Sequence, residues 1–449
     1  GAMFFFFRSF LSERRKGLVD LLHLYKAKKY CPGDKNDSSS GKTLYKSMLA
    51  HSLESAVLAK TWLEEAPSML SAFEFSKKNQ NPDFIAYDVF IHDNGKLSWK
   101  FQSTLIPIDP ISGKSLLYKN VAFTKGRRKW YLHDEVAGCN AGADNQPEAT
   151  FDEIWSFLSG INGRIGGLEE WIRESMRHHD RRYSKYMDRD LDVWTVLGKD
   201  LDTAKMLDKK AIEEFEQIGL DVFPGVCNAS ATSKIIRVTD GNSFLKGFIS
   251  VCDWIASNEK FFDGTKTRFQ DISKADSDPK IFSSEIRSEC VEVLRRCGIL
   301  SKKLSVGGWN VLFGDSISPR GLQKAVLPED KSNRLYIVEA APGSGKTELS
   351  LAVVSDIVAN GDAESVIFAL PTQVTSNSLF PRVASETSSG KSLVETIFPD
   401  SAGPLLVHSN SSHNKQFREL LADENFPEWL VSGSKRSMLG NFVTCTIDQ

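Results

Sequence analysis

Residues that could do hydrolytic chemistry cluster in the amino-terminal two-thirds of this chain. Five of the eight histidines, His51, His92, His133, His178 and His179, fall there in helical or loop contexts. Neutral imidazole with carboxylate is the ligand set of a hydrolytic divalent transition metal. His92 and Asp93 are adjacent, so one carboxylate could bridge two ions while its neighbour binds one. Asp253 lies in a stretch that is apolar nearly all round (244–256), where a carboxylate is costly unless paired or metal-bound. Simpler readings stand beside these. His133 alone reads equally as a core or surface residue, and His178-His179 beside Arg177, Asp180, Arg181 and Arg182 reads also as a solvated face. His23 has no partner and reads as structural, and His408 and His413 suit loop or nucleic-acid roles better than metal.

A second chemistry stands later in the chain. Residues 340–347 read Ala-Ala-Pro-Gly-Ser-Gly-Lys-Thr. A strand that ends in a Gly-rich turn and opens a helix lets backbone N–H groups wrap a phosphate at the positive helix end. In that role Gly343, Ser344 and Gly345 cradle ATP, Lys346 neutralises its β/γ-phosphates and Thr347 holds Mg²⁺.

These residues need elements to position them. Apolar residues Leu49, Leu53, Ala56, Val57 and Leu63 share one helical face, Pro82 opens a largely apolar helix, and 244–256 makes a central third one. Around the phosphate loop, 335–338 and 365–370 read as strands. Between them 348–360 reads as an amphipathic helix closed by Gly361. Strand, loop, helix, strand is a βαβ unit and implies a parallel sheet. The expected organisation is an unassigned segment (1–44), an all-α domain (45–300) and an α/β domain (301–449).

Composition excludes several classes. The chain is 41% hydrophobic and 25% charged, values of a globular protein rather than a disordered one. Its formal charge of −2 provides no global field for nucleic acid, so DNA contact must come from local basic strips. No run is apolar enough to span a bilayer, which excludes a membrane partner. The seven cysteines are scattered, without a C-x-x-C pair, as expected in a reducing cytoplasm. Gly1-Ala2 before Met3 looks like an expression scar, and Phe4 to Phe7 reads as the start of a buried strand or helix.

Histidine pairs, His92-Asp93 and a distal Asp253 on helices resemble the HD phosphohydrolase superfamily. With the phosphate loop following, the chain resembles the helicase–nucleases of type I CRISPR systems, most closely subtype I-E. The resemblance rests on His92-Asp-Asn-Gly-Lys96 with Phe101-Gln102, His178-His179 and Ser250-Val-Cys-Asp-Trp254. It rests further on 340–347, on 365–373 ending in Pro-Thr-Gln, and on Cys445-Thr-Ile-Asp-Gln449.

The resemblance implies an all-α HD-type nuclease domain followed by an incomplete α/β RecA-like helicase lobe. It implies two divalent transition metal ions (Fe, Mn, Ni, Co or Mg). His51, His92, Asp93 and Asp253 would hold one, and Asp93, His133, His178 and His179 the other, with Lys96 stabilising charge on the scissile phosphate. It places Gln323 on the adenine, and Thr372, Gln373 and Thr446 on the nucleic-acid backbone. It implies a cytoplasmic, monomeric enzyme acting on single-stranded DNA. The enzyme would be recruited by the Cascade surveillance complex at its R-loop and powered by ATP with Mg²⁺. Arg127, Arg128 and Trp130, with Arg181 and Arg182, could line the DNA path, or be a solvated face. Asn94, Asp134 and Asp180 depart from the family pattern. The chain stops before an acidic box that turns over ATP, so nucleotide binding without turnover is expected. An HD phosphohydrolase of nucleotides and a non-catalytic DNA- or Cascade-binding module are the rival readings.

Overall fold

In the computed structural model, described residues are 26–30, 44–73, 81–97, 199–228, 241–258, 261–262, 274–326, 335–386, 390–423 and 426–449. The chain divides into two compact units, one holding residues 1–64 and 70–290, the other residues 65–69 and 291–449.

The first unit is helical, with one antiparallel strand pair. β1 (Lys26–Tyr30) pairs with β2 (Leu44–Ser47), and β2 runs directly into α1 (Met48–Glu65). β1 lies within the unassigned first 44 residues, at a place (26–30) where the sequence reading expects no element. α1 is buried along almost its whole length, as expected of a central helix with few charged residues. α2 (Pro82–Ile91) begins at Pro82, with the Asn81 side chain accepting the Asp83 N–H as its N-cap. α3 (Lys199–Val222) packs on α2 through Phe90 and Phe215, whose rings stack 4.2 Å apart. α4 (Gly241–Ala256) packs on α1 through Trp62 and Phe248, 5.2 Å between ring centres. The central place expected for α4 is seen in its buried Leu245, Phe248, Ile249, Cys252 and Ile255. α5 (Pro279–Arg296) closes this part of the chain.

The second unit is α/β. Its core joins Leu351 and Val358 of α8 (Lys346–Ala359) to Val366, Val383, Ile397 and Phe442. Before α8 come α6 (Trp309–Phe313) and α7 (Gly321–Val326). Three parallel strands stand in the order β3 (Val366–Leu370), β5 (Phe442–Thr446), β4 (Leu405–Val407). Parallel strands need long crossovers. Here α9 (Gln373–Ala384) and α10 (Leu393–Ile397) lie between β3 and β4, and α11 (Lys415–Leu421) lies between β4 and β5.

One expected element is absent. Residues 335–338 form no strand, and Leu335 and Ile337 are 77% and 78% exposed. A β-prone run becomes a strand only where a neighbour takes up its N–H and C=O groups, and none of the three parallel strands pairs with it. Among the described residues the parallel sheet is therefore built from β3, β5 and β4. The expected helix and the second strand do form, and Gly361 takes the left-handed backbone of a helix terminator (φ 78°). Among the described residues, no helix is long and apolar enough to cross a membrane. Phe4 to Phe7 lie outside the described residues.

Candidate metal centre

Three helices bring four candidate ligands to one point. His51 comes from the first turn of α1, His92 caps the carboxyl end of α2, Asp93 follows it, and Asp253 comes from α4. All four are buried, and one ligand atom from each lies within 4.8 Å of the others. His51 Nε2 is 3.1 Å from Asp93 Oδ2 and 3.2 Å from Asp253 Oδ1. His92 Nε2 is 3.3 Å and 3.9 Å from the same two oxygens. Nitrogen and oxygen ligands about 2.0–2.2 Å from a transition metal stand up to about 4.4 Å apart, and all four of these histidine–carboxylate distances lie within that limit. The donor set of two imidazoles and two carboxylates suits a borderline divalent ion.

The surroundings orient the ligands. His92 Nδ1 faces the Val89 carbonyl, which leaves Nε2 as the nitrogen aimed at the carboxylates. That is the backbone contact by which proteins fix the tautomer of a metal-binding histidine. Ser257 Oγ donates to Asp253 Oδ1 at 2.7 Å, and Lys96 Nζ donates to Asp93 Oδ2. Burial alone lowers the pKa of His92. The carboxylates of Asp93 and Asp253 outweigh that and raise it to about 9.

The helices themselves are tied together one turn from two of the ligands. Lys46, buried on β2, pairs with Glu54 of α1 at 2.5 Å and donates to the Ala256 carbonyl of α4 at 3.1 Å. Glu54 is three residues from His51, and Ala256 three from Asp253, so one cation sets the spacing of α1 and α4 beside the cluster. Sequence reading misses Lys46, Glu54 and the buried Glu216 of α3. Lys46 before a helix and Glu216 in the acidic stretch 213–216 carry no local sign of burial, whereas Glu54, a single carboxylate in a largely apolar run, could have been found by the cost argument that singled out Asp253.

The remaining expected ligands, His133, His178 and His179, lie outside the described residues. So do Asp134, Asp180, Arg127, Arg128, Trp130, Arg181 and Arg182.

The phosphate loop has the backbone its glycines permit. Gly343 and Gly345 stand at φ 75° and 85°, left-handed values that favour glycine, and α8 starts at Lys346 with Thr347 in its first turn. The loop approaches itself closely: Lys346 Nζ donates to the carbonyls of Ala340 (2.7 Å) and Ala341 (2.9 Å), and Ser344 N–H to Ala341 O (3.3 Å). Gln323 is buried against this loop. Its Nε2 donates to Gly345 O at 3.0 Å, while its Oε1 accepts the Arg320 N–H at 2.7 Å. Thr372 caps α9, and Gln373 Nε2 donates to Ser409 Oγ at 2.9 Å. Thr446 ends β5 in register with Leu370 of β3. Thr372, Gln373 and Thr446 thus stand at the carboxyl edge of the sheet, where open α/β folds bind ligands. His408 is buried with Nδ1 accepting the Asn410 N–H, and burial lowers its pKa.

Comparison with known proteins fits this geometry. The CRISPR-associated endonuclease/helicase Cas3 of Escherichia coli (strain K12) is 26% identical over 423 residues, covering 90% of this chain and 45% of that protein. The CRISPR-associated nuclease/helicase Cas3 of Streptococcus thermophilus is 30% identical over 223 residues, covering 46% of this chain and 22% of that one. The chain therefore spans less than half the length of either relative. The crystal structure of T. fusca Cas3 superposes with a TM-score of 0.63 at 18% identity, over 96% of this chain and 44% of that one, which shows a shared fold. Residues 34–262, half of the chain and the stretch that holds all four clustered ligands, match the family described as "Cas3, HD domain". The chain belongs to that family.

Proposed function

We propose that this chain is a metal-dependent nuclease that cuts single-stranded DNA, joined to the first nucleotide-binding lobe of a superfamily 2 helicase motor. The observation that carries the reading is the convergence of His51, His92, Asp93 and Asp253, all buried, within 4.8 Å. Four ionisable groups out of water, on three helices far apart in sequence, are costly to fold unless they are paired or hold a cation, and a two-imidazole, two-carboxylate set at this spacing suits a cation. On this reading Asp93 serves two ions, with His133, His178 and His179 as the remaining ligands of the second. Bound divalent ions supply the charge that clamps a phosphodiester and the acidity that activates water. Lys96, held on Asp93, is the cation available to a phosphate oxygen at the site.

The nuclease domain takes residues 45–300 and the motor lobe 301–449. In the lobe, Gly343, Ser344, Gly345, Lys346 and Thr347 take ATP with Mg²⁺, Gln323 borders the nucleotide, and Thr372, Gln373 and Thr446 meet the DNA backbone. Acting in the cytoplasm, the enzyme is recruited to its DNA by the Cascade surveillance complex. The names of its relatives, CRISPR-associated endonuclease/helicase and nuclease/helicase, support that setting.

The test is cleavage of circular single-stranded DNA with Mn²⁺, Ni²⁺, Co²⁺ or Fe²⁺. Cutting is expected with metal, and is expected to stop with a chelator and in Asp93→Ala. Cutting that survives Asp93→Ala refutes the assignment of the site.

A further inference from the structure

Asp93 sits at the junction of two elements. It follows the last turn of α2, and its carbonyl accepts the Lys96 N–H at 2.7 Å to open a short 3-10 turn (Asn94–Leu97). The residue after it, Asn94, is wholly buried, and a buried amide must be hydrogen-bonded. Its Nδ2 donates to Oε1 of Glu216, a residue of α3 that is 122 positions away and equally buried. The other oxygen of that carboxylate, Oε2, accepts the hydroxyl of Tyr87, which belongs to α2 itself. One carboxylate therefore spans the break between the body of α2 and the turn that carries Asp93. α3 is held at the required distance by the Phe90–Phe215 stack and by Gly219, which lies against the rings of Phe90 and Tyr87.

From this juxtaposition we infer that Glu216 is a positioning residue for the metal centre: through Asn94 it holds the Asp93 turn in the orientation that ligation requires. The inference rests on the reading of His51, His92, Asp93 and Asp253 as ligands. It adds to that reading a partner that touches none of the four. A purely structural brace would set stability and leave metal affinity alone. A positioning brace sets affinity, because a ligand free to rotate must be ordered each time an ion binds. Partners bonded directly to a ligand typically change metal affinity about 10- to 100-fold, and a brace acting through the adjoining residue is expected at the lower end of that range.

Isothermal titration of the full chain with Mn²⁺ distinguishes the two. Asn94→Ala and Glu216→Leu are each expected to weaken binding about 10-fold or more, and the double variant no further than either alone, because both break one connection. Glu216→Gln keeps an acceptor for Asn94 and offers a donor to the Tyr87 oxygen, so it is expected to bind like the wild type. Asn94→Asp sets two carboxylates face to face and is expected to lose affinity, and adding Glu216→Gln should restore it. This last pair decides the matter even if Glu216→Leu does not fold. Unchanged affinity in folded Glu216→Leu, additive losses in the double variant, or no rescue of Asn94→Asp would each overturn the inference while leaving the metal centre intact. A wild-type chain that binds no Mn²⁺, or an Asp93→Ala variant that binds it equally well, would remove the metal-centre reading and this inference with it.

Discussion

Gly219→Ala is the most demanding test of how α3 is seated against the helix that carries His92. A methyl group at this position would stand 2.7 Å from both Cδ1 and Cε1 of Phe90 and 3.0 Å from Cε2 of Tyr87. Carbon atoms in contact prefer about 3.5–4.0 Å, so the helix or the ring must give by nearly an ångström. Phe90 has no room to swing, being fully buried and stacked on Phe215. Overpacking of this kind costs about 1–3 kcal/mol, and the gain of alanine over glycine inside a helix returns roughly 1 kcal/mol. A contact at 2.7 Å with a ring that cannot move puts the cost in the upper part of that range, about 2–3 kcal/mol. The net loss is then about 1–2 kcal/mol, which for a domain of this size lowers the melting temperature by roughly 2–8 °C. Thermal unfolding followed by circular dichroism reads the shift. Phe90→Leu removes the ring edge that the methyl group meets, so the double variant should be less destabilised than the sum of the single ones. A Gly219→Ala variant that melts at or above the wild-type temperature would mean that helix propensity alone governs the position, and that the close approach of α3 to α2 is wrong.

Other consequences can be measured separately. Burial raises the Glu216 carboxyl to about 7 despite hydrogen bonds from Tyr87 and Asn94 that lower it, against an ordinary 4.5. Between those values the folded chain keeps a proton that the unfolded chain has released. Stability therefore falls as pH rises through that window, by about 3 kcal/mol, and levels off above it. Urea titrations from pH 5 to 8 should show Glu216→Gln gaining on the wild type across this range, and a constant difference would refute the assignment. Lys46→Met strands the buried carboxylate of Glu54 and should cost about 3–5 kcal/mol, most of it recovered in Lys46→Met/Glu54→Leu. If urea unfolding shows both variants equally unstable, the pair is not what ties α1 to α4. Gly345→Ala puts a methyl group 2.2 Å from Gln323 Nε2 at a φ of 85°, and should abolish binding of a fluorescent ATP analogue while the metal centre still takes Mn²⁺. Retained nucleotide binding would show that the phosphate loop tolerates a different shape.

Much of the centre was legible residue by residue because its chemistry is local in type. Imidazole beside carboxylate at His92-Asp93 and a carboxylate inside the apolar stretch of α4 are costly unless used, and that cost is visible in sequence. The Gly-rich loop was legible for a related reason, since positive φ at Gly343 and Gly345 restricts the residue type. The run at 335–338 shows the limit of such reasoning. Its residues are β-prone, but a strand is a property of two segments, and among the described residues none pairs with it.

The amino-acid sequence by itself determined the residue types able to hold a metal ion and a phosphate, and the order of the elements that carry them, because side-chain chemistry and hydrophobic period act over short stretches. Only the tertiary structure decided that α1, α2 and α4 bring His51, His92, Asp93 and Asp253 to one point. It alone revealed Lys46 bridging two of those helices and Glu216 reaching Asn94 from another part of the chain. Burial is the physical reason. A glutamate in a charged stretch reads as a solvated residue until packing removes it from water, and only then must it find the donors that make it part of a site.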